Sequence, residues 1–310
     1  MRRLSPDGES RAGGETAGIK TIEAAKNKEA PMVSDSLKRT LRRTLALAGL
    51  ELHSRSAPSA HGCHQRGSLS GLLHHAKNAG LSPATVIDVG AAYGEFTVEC
   101  HRVFPDANYI LVEPLEEYRP FLEAVSSSVP RAEYVPVAAS AASGELVMNV
   151  HPDLVGSSVY LENEDSIVNG VPRVVQAIAL DSLIKSRDAI PPFLLKIDVQ
   201  GAELDVLSGA KEVLQRTDYA LLEASFFQFF TGGPQFYDVV TFMESRGFVA
   251  YDMCGFLYRP LDNALSQADI AFVKTKGFFR KHHQYATPRQ REEQNRTMRL
   301  HEGNLPKTER

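Results

Sequence analysis

The stretch Val86-Ile87-Asp88-Val89-Gly90-Ala91-Ala92-Tyr93-Gly94 decides the fold. It opens as a short apolar run with β-branched residues, the pattern of a buried strand. An aspartate interrupts the run, then Gly90 and Gly94 follow four residues apart, and a helix begins near Glu95. Strand, glycine turn and helix in that order place a ligand outside the carboxyl end of the strand in an open α/β sheet. The two glycines read as points where backbone passes close to a ligand with no Cβ in the way. Their spacing, Gly-x-x-x-Gly, departs from the Gly-x-Gly-x-x-Gly that seats a pyrophosphate on a helix N-terminus. A carboxylate at Asp88 opposes an anion there and suits a cationic ligand such as an aminopropyl sulfonium.

The next strand outward, Tyr109–Val112, ends at Glu113-Pro114. An acid at that strand end is placed to accept hydrogen bonds from both hydroxyls of a ribose. From Pro83 to about Lys274, strands and helices alternate. Helices are expected over Phe96–Phe104, Leu115–Val125, Glu203–Leu214 and Gln235–Arg246. Strands are expected over Tyr134–Val137, Gly144–Val150, Val174–Leu180, Phe193–Val199, Tyr219–Glu223, Phe248–Met253 and Ile270–Lys274. Repeated β-α-β units with near-continuous apolar strands predict a parallel sheet covered on both faces. The last two strands lie close together in sequence, which predicts an antiparallel pair at one edge.

A second chemical constellation sits far along the chain. The strand Phe193-Leu194-Leu195-Lys196-Ile197-Asp198-Val199 carries two charges inside an apolar run, and Gln200-Gly201-Ala202-Glu203 turns into a helix. Buried charges are costly unless paired or used. Lys196, Asp198 and Glu203 therefore gather at the ligand-facing edge as a structural ion pair, a hydroxyl-binding group or a divalent-cation site. The aromatic run Phe226-Phe227-Gln228-Phe229-Phe230 reads as an acceptor-pocket wall, a core helix or an interface.

The flanks have a different character. Residues 1–34 are rich in Gly, Ser, Lys and Glu, too polar to offset ordering entropy, and read as a disordered extension. Residues 35–82 read as a helical segment. Leu37, Leu41, Leu45, Ala48 and Leu52 recur at helical spacing opposite Lys38, Arg39, Arg42 and Arg43. Such a basic amphipathic helix over 37–52 packs on the domain or a partner, or lies peripherally on an anionic membrane. A histidine-rich linker follows with His53, His61, Cys63 and His64, whose spacing matches no standard metal site. Leu69–Ala79 then reads as a helix with Leu72, Leu73 and Ala76 inward. Residues 83–275 are the main domain, and residues 276–310 a basic polar tail, as a surface helix or a disordered extension.

The 310 residues are 43% apolar, enough for a sizeable core, and their net charge of −4 gives no global pull toward nucleic acid. The 3 cysteines, Cys63, Cys100 and Cys254, are odd in number and widely spaced, which argues against a disulfide framework. No apolar run approaches the roughly 18–20 residues that span a bilayer, and no signal-peptide core is evident, so a cytoplasmic location is expected.

Ile87–Thr97, Glu113-Pro114, Leu195–Glu203 and Val206-Leu207-Ser208-Gly209-Ala210 together resemble the FkbM family of methyltransferases, over roughly residues 84–275. The resemblance implies a class I methyltransferase fold, a Rossmann-like, seven-stranded, mostly parallel sheet with helices on both faces and an antiparallel edge strand. It implies S-adenosyl-L-methionine as cofactor, and O-methylation of a sugar, glycan or secondary-metabolite hydroxyl. It carries over Asp88, Gly90, Ala91 and Gly94 as the cradle of the methionine end, Glu113 as the ribose binder and Ala138 as the adenine wall. Gly156-Ser157-Ser158 resembles the family's small-residue stretch. Two positions depart: Ala92 stands where the family usually has Asn, and Gln200 where Glu is frequent, which weakens any metal built there.

A hydroxyl nucleophile must lose its proton. His151 in a His-Pro-Asp loop, Asp198 and Glu203 are the candidates for that role, in no fixed order. Two other classes remain against this reading. A nucleotide-dependent oxidoreductase is opposed by the glycine spacing. A methyltransferase-like binding module without activity is opposed by the intact acidic and glycine positions.

Overall fold

The computed structural model describes residues 65–164 and 168–302, all within the unit Gly62–Arg310. Its organising element is β1 (Thr85–Val89), every residue of which is buried. Burial on both faces is typical of a parallel sheet covered by helices, whose central strands have a parallel partner on each side. β1 has them in β2 (Asn108–Val112) and β7 (Phe193–Ile197), with Asp88 in register with Leu111 on one side and Lys196 on the other. β3 (Ala132–Val135) extends the sheet beyond β2, and β8 (Thr217–Ser225) beyond β7. The final hairpin, β9 (Phe248–Tyr258) and β10 (Leu265–Lys274), completes seven strands in the order β3-β2-β1-β7-β8-β10-β9. The last strand in sequence, β10, is antiparallel to both neighbours and slots between β8 and β9.

The alternation of side chains along the strands builds two cores. Ile87, Val89, Leu195 and Ile197 face α4 (Leu180–Ser186), α5 (Glu203–Ser208), α6 (Lys211–Gln215) and α7 (Phe236–Ser245). Val86, Leu111, Leu194 and Leu221 face α1 (Leu69–Asn78), α2 (Glu95–Val103) and α3 (Arg119–Ser128). The expected helix over 203–214 is two helices broken at Gly209. A Cβ there would stand 2.3 Å from the Ser140 carbonyl oxygen. Asp181, distant in sequence, caps the second helix by accepting the N–H groups of Glu212 and Val213 at 2.9 and 3.0 Å.

Two expected strands do not join the main sheet. β5 (Gly144–Val150) and β6 (Val171–Ile178) pair antiparallel, and β4 (Ala138–Ala139) adds parallel to β6, as a separate three-stranded sheet. The reason lies in their outer face: Val147, Val171 and Val174 are more than half exposed, a one-sided burial that antiparallel sheets accept and central parallel strands do not.

The boundaries expected at 82/83 and 275/276 fall inside packed structure. α1 buries Leu72, Leu73 and Ala76 in the same core as β1, and the Lys77 ammonium donates to the Val103 carbonyl at 2.7 Å. Phe279 packs on Tyr219 and Tyr251, at ring distances of 5.6 and 4.9 Å. Only beyond it does the chain leave the core, as helix α8 (Pro288–Glu302), exposed over residues 288–299. Among the described residues no helix is long and apolar enough to cross a membrane. The amphipathic segment 37–52, and His53, His61, Cys63 and His64, lie outside the described residues.

Candidate active site

The carboxyl ends of β1, β2 and β7 open into one cavity, bordered also by β4, β5 and the loop between β5 and β6. Gly90, Glu113, Ala138 and Asp198 from the sequence reading meet in its wall, together with Tyr118 and Glu223. Among the described residues three carboxyl side chains line it, Glu113, Asp198 and Glu223, and no Lys, Arg or His does.

The glycine turn is shaped first by the protein itself. Gly90 has φ +74°, and a Cβ on it would lie 1.7 Å from the carbonyl oxygen of Asp198 on the neighbouring strand end. Gly94 has φ +77°, and its Cβ would press on Val125 and Leu122 of α3. Both glycines are therefore required by close packing inside the protein, and only Gly90 also borders the cavity. Ala91 lies behind the wall, its N–H donating to Val112 at 3.2 Å. Ala92 holds φ +45°, a left-handed conformation that Asn tolerates better than Ala.

Asp88 is placed differently from expectation. It is 1% exposed and lies beneath the turn, outside the cavity wall. Thr97 donates to its Oδ2 at 2.8 Å, the Lys196 ammonium stands 3.8 Å from Oδ1, and Oδ1 has no hydrogen-bond partner among the described residues. Burial pushes the Asp88 carboxyl up, against the pull of Lys196. The buried Lys196 itself is held protonated by Asp198 and Asp88, which outweigh its desolvation. Its ammonium reaches Asp198 at 3.2 Å and lies 5.6 Å from the Phe96 ring centre. The structural ion pair and the ligand-facing carboxylate are thus one arrangement: Lys196 ties buried Asp88 to Asp198 in the wall.

Glu113 is nearly buried. Its Oε2 accepts the Ala92 N–H at 3.1 Å and its Oε1 the Leu115 N–H at 3.0 Å. Burial pushes its carboxyl up to about 7. Each carboxylate oxygen still has a lone pair for a ligand hydroxyl.

Two of the three candidates for proton removal are not in the wall. Glu203 turns back into the protein, where Oε1 accepts the N–H groups of Val199 and Gly201 at 3.2 and 3.1 Å, and burial pushes its carboxyl up to about 7. It pins the turn from β7 into α5, which is why an acid follows Gln200-Gly201. His151 faces Asp153, with Nδ1 2.7 Å from Oδ1, and does not line the cavity. Asp198 remains, with Oδ2 on Lys196 and Oδ1 accepting from the Gln200 amide at 3.1 Å.

The aromatic run is packing rather than wall. Phe226 stacks on Phe236 at 4.9 Å, and Phe230 fills the space a Cβ on Gly201 would need. Two polar wall residues escaped the sequence reading. Tyr118, in the short 3-10 turn Glu116–Tyr118, has a buried hydroxyl with no partner among the described residues. Glu223, near the end of β8, had a usable signal: it is an acid closing an apolar strand, as Glu113 is. Among the described residues no group of three or more His, Cys, Asp or Glu side chains is set to hold a metal ion.

Residues 88–250 match the family model described as the methyltransferase FkbM domain. The chain belongs to the FkbM methyltransferase family. As an FkbM methyltransferase it takes its methyl group from S-adenosylmethionine. Comparison of the sequence with curated proteins gives no match. Among solved structures, the O-methyltransferase from Bacillus cereus in complex with SAH is 13% identical, with a TM-score of 0.40, covering 78% of this chain and 93% of that one. The 1,6-didemethyltoxoflavin-N1-methyltransferase of Burkholderia thailandensis is 12% identical, with a TM-score of 0.39, covering 80% and 94%. A putative RNA methyltransferase from Pyrococcus horikoshii is 16% identical, with a TM-score of 0.37, covering 76% and 98%.

Proposed function

We propose that this FkbM methyltransferase methylates a hydroxyl oxygen on a sugar, glycan or secondary metabolite. The carrying observation is the lining of the cavity: among the described residues, three carboxyl groups and no cationic side chain. Such a wall suits a sulfonium ligand and opposes the pyrophosphate of a dinucleotide. By the same reasoning it opposes an acceptor bearing a carboxylate or phosphate. The unpartnered Tyr118 hydroxyl in the same wall supports a polar ligand there.

In this reading Glu113 accepts the ribose hydroxyls, and Ala138 with Met148 and Val159 gives the purine an apolar wall. The bound cofactor supplies an electrophilic methyl group whose sulfur leaves as a neutral thioether. The chain's own work is alignment of the acceptor, exclusion of water and removal of the hydroxyl proton. The loop over the cavity is held for that purpose by Ser158, whose hydroxyl donates to the Gln200 carbonyl at 2.6 Å, and by Tyr160, whose hydroxyl donates to Asp205 at 2.7 Å.

Isothermal titration with S-adenosylhomocysteine and with NADH tests the ligand class. Binding of the first alone is expected, and preference for NADH would sink the reading. Transfer of label from methyl-tritiated S-adenosylmethionine to a panel of neutral polyols tests the reaction. Binding with no transfer to any hydroxyl would instead favour a methyltransferase-like binding module.

A further inference from the structure

We propose that Glu223 is the group that takes the proton from the acceptor hydroxyl. This rests on the methyl-transfer reading above and adds a residue that reading does not assign. The geometry comes from how each wall carboxylate is already engaged. Glu113 has both oxygens on backbone N–H groups at the far side of the turn. Asp198 has both oxygens on side chains, one on the Lys196 ammonium and one on the Gln200 amide. Glu223 differs. Its Oε2 accepts two amide donors, Gln200 and Gln267, each at 3.0 Å. All of its hydrogen bonds among the described residues are made by that oxygen, which leaves Oε1 for a ligand in the cavity that Glu223 lines.

The two amides do more than hold the side chain. Gln200 bridges Asp198 and Glu223, fixing two carboxylates in one orientation, and it does so from a left-handed backbone, φ +52°, that a Gln adopts only when the fold insists. Gln267 enters from β10, opposite Ser225, so the antiparallel strand contributes to the site. Amide donors on Oε2 carry no charge, so they orient Glu223 without neutralising it, whereas Lys196 already compensates Asp198. Facing Glu223 are Lys196 from β7, Asp198 just past its end, Glu203 from α5 and Asp269 from β10. Burial first, and then the three acids, push its carboxyl well above the ordinary carboxylate range, while Lys196 acts in the other direction. A base of that kind removes a proton more effectively than an ordinary carboxylate.

The step balances without a further reactant. The acceptor oxygen forms its bond to the methyl carbon as the carbon–sulfur bond breaks, and that electron pair stays on sulfur. The hydroxyl proton passes to Glu223 Oε1 and later leaves to solvent.

The test uses the full chain and Glu223→Gln, which preserves shape and keeps an acceptor oxygen. Expected results are S-adenosylhomocysteine affinity within about threefold of wild type, and transfer to neutral polyols reduced by about 100-fold or more. In wild type, kcat/KM rises with pH along a limb whose midpoint lies above the ordinary carboxylate range, and the limb disappears in the variant. A readout independent of turnover is carbon-13 NMR of glutamate-labelled protein saturated with S-adenosylhomocysteine. One carboxyl signal, missing in Glu223→Gln, is expected to titrate above that range. Glu223→Gln with intact transfer, or a Glu223 signal titrating at an ordinary value, overturns the proposal while leaving methyl transfer standing. Wild type that fails to bind S-adenosylhomocysteine overturns the reaction class itself.

Discussion

Gly90 and the carbonyl oxygen of Asp198 are so close that a Cβ on the glycine would stand 1.7 Å from that oxygen. The contact joins the ends of β1 and β7, the two strands that bring the turn and Asp198 into one cavity. The Asp198 N–H donates to Val89 at 3.0 Å beside it. Gly90→Ala is expected to lose about 3 kcal/mol or more, from left-handed backbone strain plus steric overlap. Urea denaturation measures it. A loss under about 1 kcal/mol would mean that the strand ends separate easily.

Lys196 is the cation that compensates both Asp88 and Asp198. Lys196→Met leaves Asp88 buried and uncompensated, and is expected to cost about 3–5 kcal/mol. Adding Asp88→Asn removes that charge and should recover part of the loss. A double-mutant cycle by denaturant unfolding checks this, and additive single effects would show that the pair is not coupled.

Glu203 carries a pH signature. Its folded carboxyl is raised to about 7 by burial, above its ordinary 4.5. The folded state therefore binds the proton more tightly than the unfolded chain. That contribution to stability is fully present below about 4.5 and is lost as pH rises through about 7. Glu203→Gln keeps an acceptor for the Val199 and Gly201 N–H groups and has no charge to bury. Relative to wild type it should gain stability between pH 5 and pH 8, by at most about 3 kcal/mol. Thermal melts across that interval report it. A variant whose melting curve tracks wild type at every pH would argue that Glu203 is charged without cost.

His151 faces Asp153 away from the cavity wall. His151→Ala is expected to change S-adenosylhomocysteine affinity and methyl transfer by less than about threefold, with at most about 1 kcal/mol lost from its partly exposed ion pair. Loss of transfer with binding intact would return the imidazole to the chemistry.

The α/β character was legible because strand and helix periods differ and each strand of the parallel set is a short, nearly continuous apolar run. Asp88, Glu113 and the Lys196–Asp198 strand were legible because charges inside such runs need a reason. Glu223 carried the same strand-end signal as Glu113, but its engagement was not legible, because its partners, Gln200 and Gln267, are distant in sequence and meet it only across β7, β8 and β10. The strands expected at 144–150 and 174–180 carried no sign of the separate sheet they form, because sequence alone does not reveal which strand each one pairs with.

The sequence by itself determined the fold class, the family and the three strand ends that open into the cavity, since these follow from local apolar pattern and from motifs contiguous in the chain. Only the tertiary structure decided what each polar residue there faces. It turned Glu203 inward onto backbone N–H groups and put Asp88 beneath the turn. It gave Gly90 and Gly94 neighbours within the protein and set Glu223 in the wall. Direction depends on packing between strands far apart in sequence, and a one-dimensional pattern carries no record of it.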